Sequence, residues 1–175
     1  NTAVGPDGCL YVTDMYRGII QDAAWFNSGN REFARRTGVN KHIQMGRIWR
    51  IRHQDHRPYQ EKPRMLSESS EELVRHLQNP IGWGRGTAQK LILLRNDREK
   101  AIPLLEGLFR FTQSPLPRIH ALWTLNGMQA ITPEIKKEAL MDRAAEIRRT
   151  MVQIIEPGLT EEVDLLLPLE NERDP

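Results

Sequence analysis

The sequence predicts a mostly α protein, a HEAT- or armadillo-like α-solenoid preceded by a pair of β-strands with a helical insertion that reads as the edge of one blade of a larger sheet protein. Three observations carry this. Residues 5 to 17, GPDGCLYVTDMYR, read as a tight turn feeding a short strand. Residues 46 to 52, GRIWRIR, form a second β-rich run. From residue 67 onward the apolar positions follow a helical period and recur about every thirty residues.

The turn rests on Pro6, whose ring presets φ, and on Gly8, which takes a positive φ without steric penalty. Leu10 to Thr13 then supply a run of β-formers. Asp14 and Arg17 fall just past that run, where a loop held by the scaffold can carry binding or catalytic groups. In the second run Ile48 alternates with Arg47, Trp49 and Arg50, which predicts a half-buried strand. Between the strands, residues 23–36 read as a short helix carrying Trp25, Phe26 and Phe33. So long an insertion is more often a functional or packing loop than a plain connection. A two-stranded unit is marginal in water, so residues 1–53 are expected to need partners from outside the chain. The chain opens on Asn1, almost inside a structural element, and reads as a piece cut from a longer protein on its N-terminal side.

Of the 175 residues 39% are hydrophobic and 27% charged, ordinary values for a soluble globular protein of one or two domains. No apolar run approaches the roughly 18 residues of a membrane span. The single Cys9 excludes an internal disulfide framework and any CxxC motif, and reads as a small buried hydrophobe. Residues 1–63 hold ten Lys or Arg against six Asp or Glu, a balance of +4, whereas residues 64–175 hold fifteen against seventeen, a balance of −2. That excess is too small to argue for a nucleic-acid partner, and Arg31, Arg35 and Arg36 serve equally as a solvated helix face.

Residues 54–66 are polar, contain Pro58 and Pro63 and lack any period, as an extended linker does. A first helix follows, with serines and acidic groups at 67–72 suited to its positive end and Leu73, Val74 and Leu77 on its apolar face. Asn79 and Pro80 stop it. Further helices are expected near 84–94, closed by Asn96 and Asp97, then 99–110, from Pro117 through Met128, 133–140 and 144–155, with a short last segment at 160–167. Arg85, Ala88 and Leu91 recur as Arg118, Ala121 and Leu125, and then as Arg148 and Val152. Helix, turn, helix at that period is the signature of a stacked solenoid, for which three units are about the minimum. A plain helical bundle with coincidental spacing is the other reading.

No HExxH, GxSxG, GxxxxGK[ST] or GxGxxG is present, so zinc-protease, serine-hydrolase and phosphate-loop chemistry has no support. His53 and His56 would share a metal only if the linker were helical, which Pro58 opposes. His120 reads as a structural histidine, and Trp83 and Trp123, at corresponding places in successive repeats, as packing residues.

The string GPDGCLYVTDMYRGIIQ with the later MGRIWRI resembles the last blade of the glucose and sorbosone dehydrogenase-like β-propeller of large bacterial membrane-bound dehydrogenases, known from planctomycetes and verrucomicrobia. The stretches NPIGWGRGTAQKLI (79–92) and SPLPRIHALWTLNGM (114–128) are similar to the HEAT-repeat segment that follows it there. The resemblance extends to about residue 156. It implies a terminal β-propeller blade at 1–53, a linker at 54–66 and HEAT-like repeats at 67–175. It further implies an extracytoplasmic, periplasmic setting and an oxidoreductase of the quinone type acting on sugars or alcohols. Pyrroloquinoline quinone (PQQ) and calcium would be held by the full-length protein, with haem c on a separate cytochrome c domain and no cofactor within this fragment. The partners implied are the rest of the propeller and a cytochrome c domain or another protein on the HEAT surface. Where relatives read Trp-Trp-Arg-Asp, this chain has Trp83-Gly84-Arg85-Gly86, at a helix-propensity cost of about 1 kcal/mol per glycine.

On this reading Asp14 and Arg17 are the catalytic candidates and Tyr16 the cofactor-binding one. An oxidation of this kind needs a base or oriented anion and a cation for developing oxyanion charge, which Asp14 and Arg17 would supply, with Tyr16 as hydrogen-bond donor. A structural Asp-Arg pair is the plainer alternative. The fragment alone is expected to be inactive. A non-catalytic HEAT-repeat scaffold is the second functional expectation.

Overall fold

The computed structural model describes residues 1–20, 23–59, 63–95, 97–158 and 163–170. Gln21 of the resemblance string, residues 60–62 of the expected linker, Asn96 as a helix stop and Thr160 as the start of the last segment lie outside the described residues. The protein is mostly α, with seven α-helices and one three-stranded antiparallel sheet among the described residues. It divides into two compact units, Asn1–Glu61 and Lys62–Pro175.

In the first unit, β1 (Thr2–Val4), β2 (Leu10–Asp14) and β3 (Arg47–Ile51) pair in that order. β1 is an addition to the expected strand pair, since three residues are too few to show a period of two. Gly8, at φ 78°, closes the turn by donating its amide to the Gly5 carbonyl at 3.0 Å. Helix α1 (Ser28–Thr37) begins later than expected. Asn27 caps it by accepting from the Asn30 amide at 2.8 Å, and Gly38, left-handed at φ 71°, ends it. Ala23–Trp25 ahead of it is a separate 3₁₀ turn.

The register places Val4, Leu10, Val12, Asp14, Arg47, Trp49 and Ile51 on one face of the sheet and Tyr11, Thr13, Ile48 and Arg50 on the other. All five β3 residues are exposed, with Ile48 at 68%, Trp49 at 51% and Ile51 at 52%. The expectation of a half-buried strand therefore fails, because no second layer among the described residues of this unit covers either face of β3. The buried hydrophobic residues of this unit, among those described, are Cys9 and Ala34.

Polar bonds supplement that thin core. Asp7 accepts from the Cys9 amide at 3.1 Å and the Tyr11 hydroxyl at 3.0 Å, and it pairs with Arg50 at 2.6 Å. His56 reaches the Asp7 carbonyl at 3.0 Å. Desolvation raises the Asp7 carboxyl, but the Cys9 amide, the Tyr11 hydroxyl and Arg50 outweigh it and bring the pKa from 3.8 down to about 2. A carboxylate depressed by folding stabilises fully above its unfolded value and loses that contribution as pH falls through its folded value. Tryptophan fluorescence during acid titration is therefore expected to report loosening of the turn between pH 3.8 and about 2, and Asp7→Asn to remove that step.

The second unit opens with a 3₁₀ turn at Met65–Ser67, whose buried Met65 joins the core. Six helices follow: α2 (Ser70–His76), α3 (Gly82–Arg95), α4 (Arg98–Phe111), α5 (Pro115–Gly127), α6 (Pro133–Leu140) and α7 (Ala145–Ile155). Ser69 and Glu72 form a reciprocal capping box at the start of α2, and Thr132 caps α6 through the Ile135 amide. Consecutive helices pack as α2 with α3, α4 with α5 and α6 with α7, while α2 lies on α4, α3 on α5 and α5 on α7. The buried core runs through all six helices by way of Leu73, Ile92, Leu105, Phe109, Leu125, Ile135 and Met151. Arg110 of α4 ties α4 to α6 through Glu138 at 2.9 Å. The last element among the described residues is a 3₁₀ helix at Val163–Leu169.

The three arginines of the sequence repeat act on the turns. Arg85 donates to the carbonyls of Asn79 at 2.6 Å and Pro80 at 2.9 Å, and Arg148 donates to those of Asp142 at 2.8 Å and Arg143 at 3.1 Å. Each turn is closed by its own side chain, Asn79 accepting from the Ile81 amide at 2.8 Å and Asp142 from the Ala144 amide at 2.9 Å. In the middle pair the matching position is Thr112. There Arg118 turns to the Phe109 carbonyl at 2.8 Å and to the Asp142 carboxylate of the next turn.

Gly84 and Gly86 of α3 are unequal. A Cβ on Gly84 would stand 2.8 Å from Cγ of Asn79, whereas one on Gly86 would meet nothing within 4 Å. Gly86→Ala is expected to stabilise the helical unit by about 1 kcal/mol through helix propensity. Gly84→Ala should destabilise it by about 1–3 kcal/mol by displacing the Asn79 turn. Urea midpoints of the two variants check both signs.

Candidate functional site

Asp14 is the last residue of β2 and stands opposite Arg47, the first of β3. Both carboxylate oxygens are engaged: one accepts from the Tyr16 amide at 3.0 Å, the other from Trp49 Nε1 at 3.1 Å and Arg47 Nε at 3.1 Å. The Trp49 bond, the Tyr16 amide and Arg47 hold its pKa below the usual carboxylate range against some desolvation. A depressed carboxylate is a weak proton acceptor at neutral pH. Its position suits an anion that orients a cation and fixes a loop.

Tyr16 follows with φ 36°, an uncommon conformation for an aromatic residue, steadied by the Asp14 bond to its amide. The Arg47 guanidinium carbon lies 4.4 Å from the Tyr16 ring centroid and 5.2 Å from that of Trp49, so one cation meets a carboxylate and two aromatic faces. The Tyr16 and His42 rings are 6.1 Å apart.

Arg17 does not join this cluster. It lines a cleft with Phe26, Arg31, Ala34, Arg35 and His42, and the cation beside Asp14 is Arg47. Sequence reasoning missed Arg47 because only the β2–β3 register reveals which residue faces Asp14. A calcium ion takes six to eight oxygens. The one carboxylate here is already shared among Tyr16, Trp49 and Arg47, so these residues alone do not fit that ion. Elsewhere, His53 pairs with Asp55 at 3.4 Å while His56 faces Asp7, and no group of three metal-ligating side chains occurs among the described residues.

His120 on α5 accepts from Arg85 Nε at 3.2 Å and shares a 2.8 Å hydrogen bond with Gln89, joining α3 to α5. Burial and then Arg85 push its pKa below 6.5. It serves packing between helices, as the sequence suggested. No helix among the described residues is long and apolar enough to cross a membrane.

Residues 1–55 match the model of a family described as a domain of unknown function, DUF7133. The matched stretch falls within the first unit and includes the Asp14, Tyr16, Arg47 and Trp49 cluster. No curated protein and no solved structure matches the chain.

Proposed function

We propose that the chain is the terminal blade and HEAT-repeat spacer of an extracytoplasmic quinone-type sugar or alcohol dehydrogenase, inactive by itself. The observation that carries this is the uncovered sheet. Val4, Leu10, Trp49 and Ile51 present an apolar face that a single blade leaves open and neighbouring blades of a propeller would bury. The Asp14, Tyr16 and Arg47 cluster at the end of that face would form one wall of a site completed by other blades. The helical pairs would space the propeller from a haem domain that accepts the electrons, and the recurrent Arg85 and Arg148 turn bonds support their reading as HEAT-like repeats.

A second reading, a non-catalytic scaffold whose helical surface holds a partner, draws on Asp14 itself, since all its bonds go to local structure and its basicity is low. The full-length protein, reconstituted with PQQ and calcium and assayed for dye reduction across sugars and alcohols, separates the two. Turnover lost in Arg47→Met supports the first reading. A folded, cofactor-loaded protein that reduces no dye supports the second.

A further inference from the structure

We infer that the cleft between the Arg17–Ile20 segment and helix α1 is a binding site for a small organic anion with an apolar body. Its basic lobe, of about 490 Å³, gathers Arg17, Arg31, Arg35, Asn40 and His42. A second lobe of about 690 Å³ shares Arg17, Ile19, Phe26, Ala34 and Val39 with the first and adds the apolar Ile20 and Phe33. These volumes suit a small ligand, and a few convergent polar groups on an apolar floor are the usual make-up of such a site.

Charge decides the ligand's sign. Among the described residues no Asp or Glu lines either lobe. Arg17 makes no hydrogen bond or ion pair with any described residue, and Arg31 is oriented by donating Nε to the Phe26 carbonyl at 3.1 Å. Arg35 meets Glu32 at 3.1 Å, but both side chains are largely exposed, at 79% and 67%, so that pair is weak and open to exchange for a bound anion. Guanidinium groups suit carboxylate, sulfonate or phosphate heads, which they bind through paired N–H donors. The apolar lobe beside them takes the remainder of the molecule.

The walls are fixed by close contact. A Cβ on Gly18 would stand 2.5 Å from the Val39 carbonyl oxygen, so glycine lets the strand-end loop touch the turn after α1 and sets the cleft's width. Ala34, the buried residue of α1, forms the floor. The site does not depend on the chain's place in a dehydrogenase.

The test is calorimetric titration of the whole chain with 2-naphthoate, beside its neutral counterpart 2-naphthylmethanol and inorganic phosphate. Saturable naphthoate binding is expected, weakened about tenfold by Arg17→Gln and by Arg35→Gln. Arg52→Gln, outside the cleft, should leave it unchanged, and the alcohol and phosphate should each bind at least tenfold more weakly. Absence of saturable binding overturns the inference. Equal affinity for the alcohol or for phosphate does so too, as does naphthoate binding indifferent to both arginine variants, which would move the probe to the exposed sheet.

Discussion

Asp142→Ala is expected to destabilise the helical unit by about 3–5 kcal/mol, the range for removing one partner of a buried ion pair. Asp142 and Arg118 are both mostly buried, with side-chain exposures of 14% and 13%, and Arg118 faces the carboxylate with two nitrogens. Desolvation raises the Asp142 carboxyl, yet Arg118 and the Ala144 amide outweigh it and hold it below the usual range. Alanine would strand the guanidinium and open the turn before α7, where the Asp142 carboxylate also accepts from the Ala144 amide. Asp142→Asn, which keeps that turn bond but not the charge, should lose less and should flatten the acid limb of the stability curve. Arg118→Met with Asp142→Leu should recover most of the loss, since a buried pair replaced whole by apolar groups is often neutral. Urea unfolding followed by circular dichroism gives all three.

Phe109→Ala should cost about as much, about 3–5 kcal/mol, by leaving a cavity at the α4–α5 contact. Phe109 is 1% exposed, and Arg118 lies over its ring with the guanidinium carbon 5.2 Å from the centroid. The ring therefore fills the core and flanks the ion pair. Combined with Asp142→Ala the loss should fall short of the sum of the two by more than about 0.5 kcal/mol, because residues that share a partner do not act independently. Phe109→Leu, which keeps most of the volume, should lose far less.

The helices were legible because their punctuation is local. Asn79-Pro80 and Ser114-Pro115 carry stop chemistry and Thr132-Pro133 cap and first-turn chemistry in adjacent letters, and Leu73, Leu105 and Leu125 mark the buried faces. The boundaries that shifted did so for equally local reasons. Asn27 caps a helix expected from residue 23, and the 3₁₀ turn Ala23–Trp25 occupies the difference, while the helix expected from Pro117 opens two residues earlier with Pro115 in its first turn. The arginine repeat was visible as spacing, but not the carbonyls each one meets, nor the switch of Arg118 to the next turn where Thr112 replaces Asn or Asp.

The site was legible only in its first half. A strand ending at Asp14 announces a loop, but its partner Arg47 is 33 residues away and is set by register. Arg17 looked adjacent to Asp14 in sequence, and the turn at Tyr16, with its positive φ, carries it to the cleft instead. β3 misled because alternating Ile48, Trp49 and Ile51 report what a strand needs buried and not whether the same unit buries it.

The central claim is that the helical unit is complete in its own core while the sheet unit is not. Hydrogen exchange on the intact chain tests it, since protection tracks the free energy of opening each element. Amides of α3, α4 and α5 are predicted to exchange only with global unfolding of the helical unit, and those of β2, hydrogen-bonded on both sides, at least about a hundredfold faster. Protection of the β2 amides equal to that of the helix core would contradict the account, because three strands with an uncovered face would then be stable without partners.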